Sequence, residues 1–170
     1  MENIVLIGMP GTGKSVVGQA LASRLGYEFV DVDDLIVEKA GKTLPEILRQ
    51  DGLDAFYKIE GQVGMELNRK HTVIATGGSM VLYPEAMAHL KQDSVVVWLQ
   101  TPFSRIQERM PADLYDRGIA APKDESLRDI YEERRDLYAK YADLIVASQD
   151  GEDNTAHLVE EVMRTVGLQA

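Results

Sequence analysis

The chain has 170 residues, of which 45% are apolar and 27% are charged, so its composition is that of one globular domain and not of a disordered or fibrous protein. Its net charge of −10 argues against nonspecific binding to nucleic acid or to an anionic membrane, and the absence of cysteine excludes disulfides and thiolate catalysis. The amino terminus lacks the pattern of a secretory leader and no apolar run reaches the roughly 20 residues of a spanning helix, so we expect a cytoplasmic protein.

Five short apolar runs follow one another along the chain and are separated by segments with helical spacing. They are IVLI (4–7), EFV (28–30), TVIA (72–75), SVVVWL (94–99) and DLIVA (143–147). Their apolarity is continuous rather than alternating, which indicates strands that are buried on both faces of a parallel sheet covered by helices. The predicted fold class is therefore α/β.

The segments between these runs predict helices with recognisable ends. Residues 14–25 have helical spacing and are followed by Gly26 as a C-cap, and Pro45 fits the first turn of a helical region that a turn at Gly52 interrupts. Pro84 and Pro102 mark further helical segments between the apolar runs, and the last predicted helix lies near residues 154–166. We expect the whole chain, residues 1–170, to form one domain.

Residues 110–126, MPADLYDRGIAAPKDES, break this regularity because they combine proline, glycine and small residues with weak periodicity. A connection of this length inside a compact domain is typical of a lid over a functional site. The alternative is a mobile linker. If the segment is a lid, it occupies about residues 110–124.

A glycine-rich stretch between the first apolar run and the first helix matches the pattern G-x-x-x-x-G-K-[ST], with the sequence GMPGTGKS at residues 8–15. Glycines let backbone N–H groups converge on phosphate oxygens, and the following helix N-terminus adds positive potential. The lysine of this pattern reaches the terminal phosphates, and the serine hydroxyl is a ligand for Mg²⁺. We therefore predict a nucleotide site at Gly11, Thr12, Gly13, Lys14, Ser15 and Val16.

The stretch EFVDVDD, residues 28–34, places acids close to this anion site, which a divalent cation would make favourable. Asp31 ends the second apolar run, where parallel sheets bind ligands, so we predict that Asp31 and Ser15 hold Mg²⁺. The fourth run ends in Gln100 and Thr101 and supplies no carboxylate, and no Asn-Lys-x-Asp motif for guanine is present.

Asp33 lies two residues beyond the predicted metal ligand and is positioned to face a phosphate acceptor. A carboxylate accepts the proton of a hydroxyl nucleophile, whereas it would repel a phosphate nucleophile. The acids therefore favour a kinase with a hydroxyl acceptor over a nucleoside monophosphate kinase. An alternative role is structural, with Asp33 or Asp34 as the cap of a helix that begins at Leu35.

The chain resembles the shikimate kinases, which phosphorylate the 3-hydroxyl of shikimate with MgATP. The resemblance is carried by GMPGTGKS (8–15), FVDVDDLIVEKAGKTLPEIL (29–48), GLDAFYKIE (52–60), TGGS (76–79) and YEERRDLYAKYADLIV (131–146). It implies a monomer with a five-stranded parallel sheet in the order 2-3-1-4-5 and a lid that closes over the substrate. It also implies ATP and Mg²⁺ as cofactors and a place in aromatic amino acid biosynthesis.

The resemblance also implies roles for individual residues. Asp31 matches the magnesium-associated aspartate, and Asp33 matches the substrate-binding aspartate and presumed base. Arg117 matches the lid arginine that reaches phosphate and acts in catalysis with Lys14 and Asp33. The remaining matches are the adenine-stacking Arg109, the substrate-carboxylate ligand Arg134 and the substrate-binding glycines Gly77 and Gly78.

Three departures from the family pattern lie around the acceptor. Tyr57 stands where the family has a second arginine for the substrate carboxylate, Ser79 replaces the third glycine, and the lid reads RGIA (117–120) in place of Arg-Pro-Leu-Leu. We include Tyr57 and Ser79 among the predicted substrate contacts. Losing one charge-assisted hydrogen bond would weaken shikimate binding by roughly ten- to a hundredfold.

The sequence leaves three functional hypotheses. The first is a kinase that phosphorylates a hydroxyl of shikimate. The second is a kinase of a related hydroxylated acid, which the departures around the acceptor would suit. The third is a nucleotide-binding protein of kinase descent without catalysis, which the intact Lys14, Ser15, Asp31 and Asp33 argue against.

Overall fold

The strands of the sheet are parallel, so their carboxyl ends lie at the same edge. A computed structural model describes residues 3–148 and 155–167. It contains five strands: β1 (Asn3–Ile7), β2 (Glu28–Asp31), β3 (Thr72–Ala75), β4 (Ser94–Gln100) and β5 (Leu144–Ala147). All neighbouring pairs are parallel, and the order is β2-β3-β1-β4-β5. The predicted α/β class and strand order are confirmed.

The two faces of the sheet bury two separate groups of apolar side chains. In the central strand β1, Val5 and Ile7 belong to the core on one face, while Ile4 and Leu6 belong to the core on the other. All four side chains are fully buried. Successive side chains of a strand point to opposite faces, so burial on both faces requires the continuous apolarity seen in the sequence.

Eight helices connect and cover the strands within the described residues. Their bounds are α1 (Lys14–Leu25), α2 (Val32–Ala40), α3 (Leu44–Glu46), α4 (Leu53–Glu66), α5 (Pro84–Lys91), α6 (Phe103–Glu108), α7 (Leu127–Tyr141) and α8 (Thr155–Thr165). Residue 154, included in the predicted final helix, lies outside the described residues. No helix in the described ranges is both long and apolar enough to cross a membrane.

Helix α2 begins earlier than predicted, directly at the end of β2. Asp31 has an extended backbone, and its carboxylate accepts the N–H of Asp33 at 2.9 Å, so Asp31 is the N-cap of a helix that begins at Val32. The alternative in which Asp33 or Asp34 caps a helix beginning at Leu35 is therefore wrong. Val32 is buried, so burial continues from the strand into the helix with no loop between them.

The region around Pro45 has the interruption expected from the sequence. Thr43 and Glu46 form a capping box around α3, with Pro45 in its first turn. A single π-type turn, Ile47–Asp51, follows, and Gly52 separates it from α4 with a φ of 94°. This arrangement aims α4 so that its buried face reaches the carboxyl end of the sheet.

The predicted lid segment packs against the rest of the protein. It contains a 3₁₀ turn, Leu114–Arg117, and residues 119–121 after the turn are buried. Arg49 forms ion pairs with Asp113 and with Asp116 of this turn. Gly118 lies so close to Leu44 that a Cβ would come within 2.6 Å of the leucine Cβ. The segment is therefore docked on the α3 region.

Candidate active site

A cavity of about 260 Å³ opens at the carboxyl ends of β1, β2 and β3, where parallel α/β sheets bind their ligands. The loops after these strands form one side of the cavity, and the lid segment and α7 contribute the other side. The predicted site residues that line it are Gly11, Gly13, Lys14, Ser15, Val16, Asp31, Asp33, Gly77, Gly78, Ser79, Arg117 and Arg134. Residues from across the sequence therefore meet in one place.

The glycine-rich loop wraps around the ammonium group of Lys14. Its Nζ donates to the carbonyl oxygens of Gly8 and Met9, both at 2.8 Å, and the hydroxyl of Thr12 donates to Met9 O at 2.9 Å. Burial lowers the pKa of Lys14 to about 8, although the charges of two aspartates raise it. The loop ends at the N-terminus of the 12-residue α1, which supplies positive potential for an anion.

Ser15 and Asp31 present oxygen atoms side by side at one edge of this loop. The hydroxyl of Ser15 donates to Asp31 Oδ2 at 2.5 Å, while Oδ1 of the same carboxylate caps α2. Hydroxyl and carboxylate oxygens are the ligands that Mg²⁺ prefers, and Mg²⁺ commonly takes only one or two protein ligands beside phosphate. The donor set therefore fits a magnesium ion.

Asp33 lies on the first turn of α2 and lines the same cavity as the glycine-rich loop. Burial raises the pKa of its carboxyl to about 6, and the charge of Asp31 adds to this effect, whereas Lys14 lowers it. A carboxylate with a pKa this close to neutrality is well matched to accept a proton near pH 7.

Arg134 and the lid meet at the far end of the cavity. Arg134 is 3% exposed and donates to Ala120 O at 2.5 Å, which ties α7 to the lid segment. Next to it on α7, the hydroxyl of Tyr138 donates to Gly78 O at 2.6 Å and fixes the loop after β3. The guanidinium is thus a buried cation in a cavity that also contains carboxylates.

Glu60 lines the cavity but was not among the predicted site residues. It is 1% exposed, and its Oε1 accepts hydrogen bonds from Ser79 at 2.5 Å and from Tyr83 at 3.0 Å. Burial raises the pKa of Glu60 to about 7, and these two hydrogen bonds partly oppose that effect. The signal in the sequence was its spacing, because Glu60 falls on the buried face of α4 one turn after Phe56.

Gly77 separates the carboxyl groups of Glu60 and Asp33. A Cβ on Gly77 would lie 2.8 Å from Glu60 Oε2 and 3.0 Å from Asp33 Oδ1. Both carboxyl oxygens therefore flank the same small space beside the Gly77 backbone, and only glycine leaves that space open.

Three predicted site residues are not among the residues that line the cavity. Thr12 packs within the loop. The ring of Tyr57 contacts that of Tyr83 edge-on, with centroids 6.0 Å apart. Arg109 donates to Gly11 O, and its own carbonyl accepts from Arg117 at 2.9 Å, so the two arginines link the lid to the glycine-rich loop.

The burial of Glu60 predicts a pH-dependent effect on stability when it is replaced with glutamine. Its pKa rises from an ordinary 4.5 to about 7 on folding, so the folded state holds the proton more tightly and the free energy of unfolding falls as pH increases between these values. Glu60→Gln removes this dependence. Relative to the wild type, the variant should gain on the order of 3 kcal/mol between pH 4.5 and 8.

Urea unfolding at pH 5 and pH 8 measures this difference. Asp54→Asn is the matched control, because Asp54 is an exposed acid on the same helix and its replacement should have the same effect at both pH values. Equal pH dependence for Glu60→Gln and the wild type would contradict the raised pKa.

The comparison with known protein families covers most of the chain. Residues 10–167 match the family model described as shikimate kinase. A shikimate kinase of Synechococcus sp. (strain RCC307) is 41% identical over 150 residues, which are 86% of this chain and 76% of that protein. A shikimate kinase of Sulfurihydrogenibium sp. (strain YO3AOP1) is 32% identical over 167 residues, which are 98% of each chain.

A solved structure agrees with this result. The shikimate kinase from Acinetobacter baumannii in complex with shikimate superimposes with a TM-score of 0.81 at 30% identity, over 96% of this chain and 92% of that one. The chain therefore belongs to the shikimate kinase family.

Proposed function

We propose that the protein transfers the γ-phosphate of ATP to a hydroxyl group of shikimate. The observation that carries this proposal is the convergence, in one cavity, of a phosphate-binding loop, the carboxyl of Asp33 and the buried guanidinium of Arg134. In the reaction, the acceptor oxygen bonds to the γ-phosphorus as its proton passes to Asp33. The bond from that phosphorus to the β–γ bridging oxygen breaks, and ADP leaves.

The nucleotide half of the cavity binds the triphosphate. The amides of Gly11 to Val16 and the ammonium of Lys14 hold phosphate oxygens, and the adenine lies beside Arg109. Ser15 and Asp31 would hold Mg²⁺, which would neutralise charge on the phosphates. Asp31 also keeps α2 in place through its cap, so the same carboxylate positions Asp33.

The acceptor half binds shikimate. Arg134 pairs with its carboxylate, Asp33 accepts from the reacting hydroxyl, and the loop from Gly77 to Ser79 closes one wall. Arg117 of the lid stabilises the transferring phosphoryl group. These roles are supported by the lining of the cavity, because Arg134 and Asp33 share it with the glycine-rich loop.

We further propose that residues 1–170 act as one kinase domain and as a monomer, with residues 110–124 as the lid. The support for one domain is that residues from positions 10 to 134 line a single cavity, and the monomer is what the family resemblance implies. The lid covers the acceptor and excludes water, which limits hydrolysis of ATP.

Release of ADP in the presence of ATP and Mg²⁺ tests the proposed function. Shikimate should stimulate this release, whereas AMP should not. Quinate and sugar acids are included because no guanidinium occupies position 57, so a related hydroxylated acid is the other acceptor to compare. No stimulation by any acceptor would contradict a kinase and would favour a nucleotide-binding protein without catalysis.

The close approach of Gly77 to both carboxyl groups predicts the effect of Gly77→Ala. The added Cβ would displace Asp33 and Glu60 by several tenths of an ångström or more, and misplacement on this scale lowers kcat/KM for shikimate by roughly ten- to a hundredfold. The KM for ATP should stay unchanged, because the glycine-rich loop is intact. An equal loss for both substrates would contradict this local effect.

A further inference from the structure

The two oxygens of Glu60 have different surroundings. Oε1 accepts hydrogen bonds from Ser79 and Tyr83, whereas no donor among residues 3–148 and 155–167 binds Oε2. A buried carboxyl oxygen without a hydrogen-bond partner is costly, and such atoms in native proteins usually have a functional explanation. Glu60 lines the cavity, so a bound molecule can supply the missing donor.

No cation replaces that donor. The ion pairs in the described part of the chain do not include Glu60, although the charge of Arg134 is near enough to affect it. The neighbouring position 57 is a tyrosine that contacts Tyr83 rather than a guanidinium. Two neutral hydroxyl groups therefore orient Glu60 without forming an ion pair with it, and they leave its second oxygen available.

The available oxygen faces the same space as Asp33. Glu60 Oε2 and Asp33 Oδ1 both lie within 3.0 Å of the point where a Cβ of Gly77 would stand. An acceptor that places two adjacent hydroxyl groups in the cavity in front of Gly77 would meet one carboxyl group with each of them. In its ionised form each carboxyl group only accepts hydrogen bonds, so the ionised pair selects for hydroxyl groups and against ethers or ketones.

We propose that Ser79 and Tyr83 are positioning residues that hold Glu60 so that its Oε2 accepts the hydroxyl next to the one that is phosphorylated. The enzyme then requires a vicinal diol in its acceptor, and this requirement depends on the two hydroxyl side chains. The inference rests on the proposed function, since Asp33 must engage the reacting hydroxyl.

The charge state of Glu60 gives a readout that a purely structural role would not affect. The titratable groups that face it are Asp33 from α2, Arg134 and Tyr138 from α7, Tyr57 from α4, and Tyr83 before α5. The hydrogen bonds from Ser79 and Tyr83 lower the pKa of Glu60, so removing either one raises that pKa further. The acidic limb of kcat/KM for shikimate should therefore move to higher pH in Ser79→Ala and Tyr83→Phe.

The experiment compares shikimate with an analogue that lacks only the hydroxyl next to the reacting one. The wild type should have a higher kcat/KM for shikimate than for the analogue. In each variant the ratio of these two values should fall about tenfold, the usual effect of one hydrogen bond. Tyr27→Phe is the matched control, because Tyr27 does not line the cavity and its ring contacts His71. Thermal unfolding confirms that each variant is folded, and the two variants test the inference independently.

The outcomes separate the inference from the proposed function. If the wild type does not turn over shikimate, the proposed function fails and the inference fails with it. If the wild type turns over shikimate but Ser79→Ala and Tyr83→Phe lose activity equally toward shikimate and the analogue, only the inference is overturned. An unchanged acidic limb in both variants would also overturn it.

Discussion

Asparagine in place of Asp33 is expected to lower kcat by roughly 10²–10⁴-fold, the usual contribution of a general base. The amide has nearly the shape of the carboxyl but cannot accept the proton of the acceptor hydroxyl. Burial already raises the pKa of Asp33 to about 6, so a neutral side chain is well tolerated at this position. The variant should therefore fold normally, and its loss of activity should reflect chemistry.

The pH profile gives an independent check on Asp33. In the wild type, kcat/KM should fall as pH decreases through 7 to 6, because Glu60 and Asp33 take up protons in that range. The part of this limb that belongs to Asp33 should disappear in Asp33→Asn. Asp34→Asn is the matched control, since Asp34 is the next residue, is exposed and does not line the cavity. Equal losses in the two variants would contradict a role for Asp33 as the base.

The parts of the site that lie on one continuous motif were predictable from the sequence. The glycine-rich loop carries its own flanking strand and helix, and the structure begins α1 at Lys14 and ends it before Gly26, as the pattern indicates. The strands were recognised because burial on both faces leaves continuous apolar runs. Local spacing was enough to predict these elements, because a helix forms hydrogen bonds between nearby residues and a buried strand is marked by its own apolar run.

The acceptor side was harder to predict because its geometry depends on contacts between distant segments. The partners of Glu60 are 19 and 23 residues away in sequence, and no spacing rule brings them together. Tyr57 was predicted because it stands where the family has a second substrate arginine, but Phe56 lines the cavity and Tyr57, which points about 100° away from it on the helix, does not. Asp31 was read as a strand end, and its capping function appears only when α2 follows without a loop.

The charges in the cavity explain how an acidic chain can bind anionic ligands. The chain has a net charge of −10, yet the cavity combines three basic side chains, Lys14, Arg117 and Arg134, with three acidic ones, Asp31, Asp33 and Glu60. The bases are needed for phosphate and carboxylate groups, and the acids for a metal ion and hydroxyl protons. Removing one base should therefore affect a single step rather than general attraction between protein and ligand.

Methionine in place of Lys14 tests that conclusion most directly. We expect kcat to fall by roughly 10²–10³-fold, which is the usual effect of removing one charge or donor aimed at the transition state. The ammonium is buried and donates to the carbonyl oxygens of Gly8 and Met9, so the loop holds it in a fixed position. Burial lowers the pKa of Lys14 to about 8, so kcat/KM of the wild type should fall as pH rises above 8. This decrease at high pH should be absent in Lys14→Met.

The kinetic pattern distinguishes transition-state stabilisation from simple binding of ATP. If Lys14 acts on the transferring phosphoryl group, kcat and kcat/KM should fall together in Lys14→Met, whereas loss of uniform binding would raise KM and leave kcat unchanged. Lys58→Met is the matched control, because Lys58 is exposed on α4, does not line the cavity and carries the same charge. A similar effect in both variants would assign the loss to net charge and would contradict a local role for Lys14.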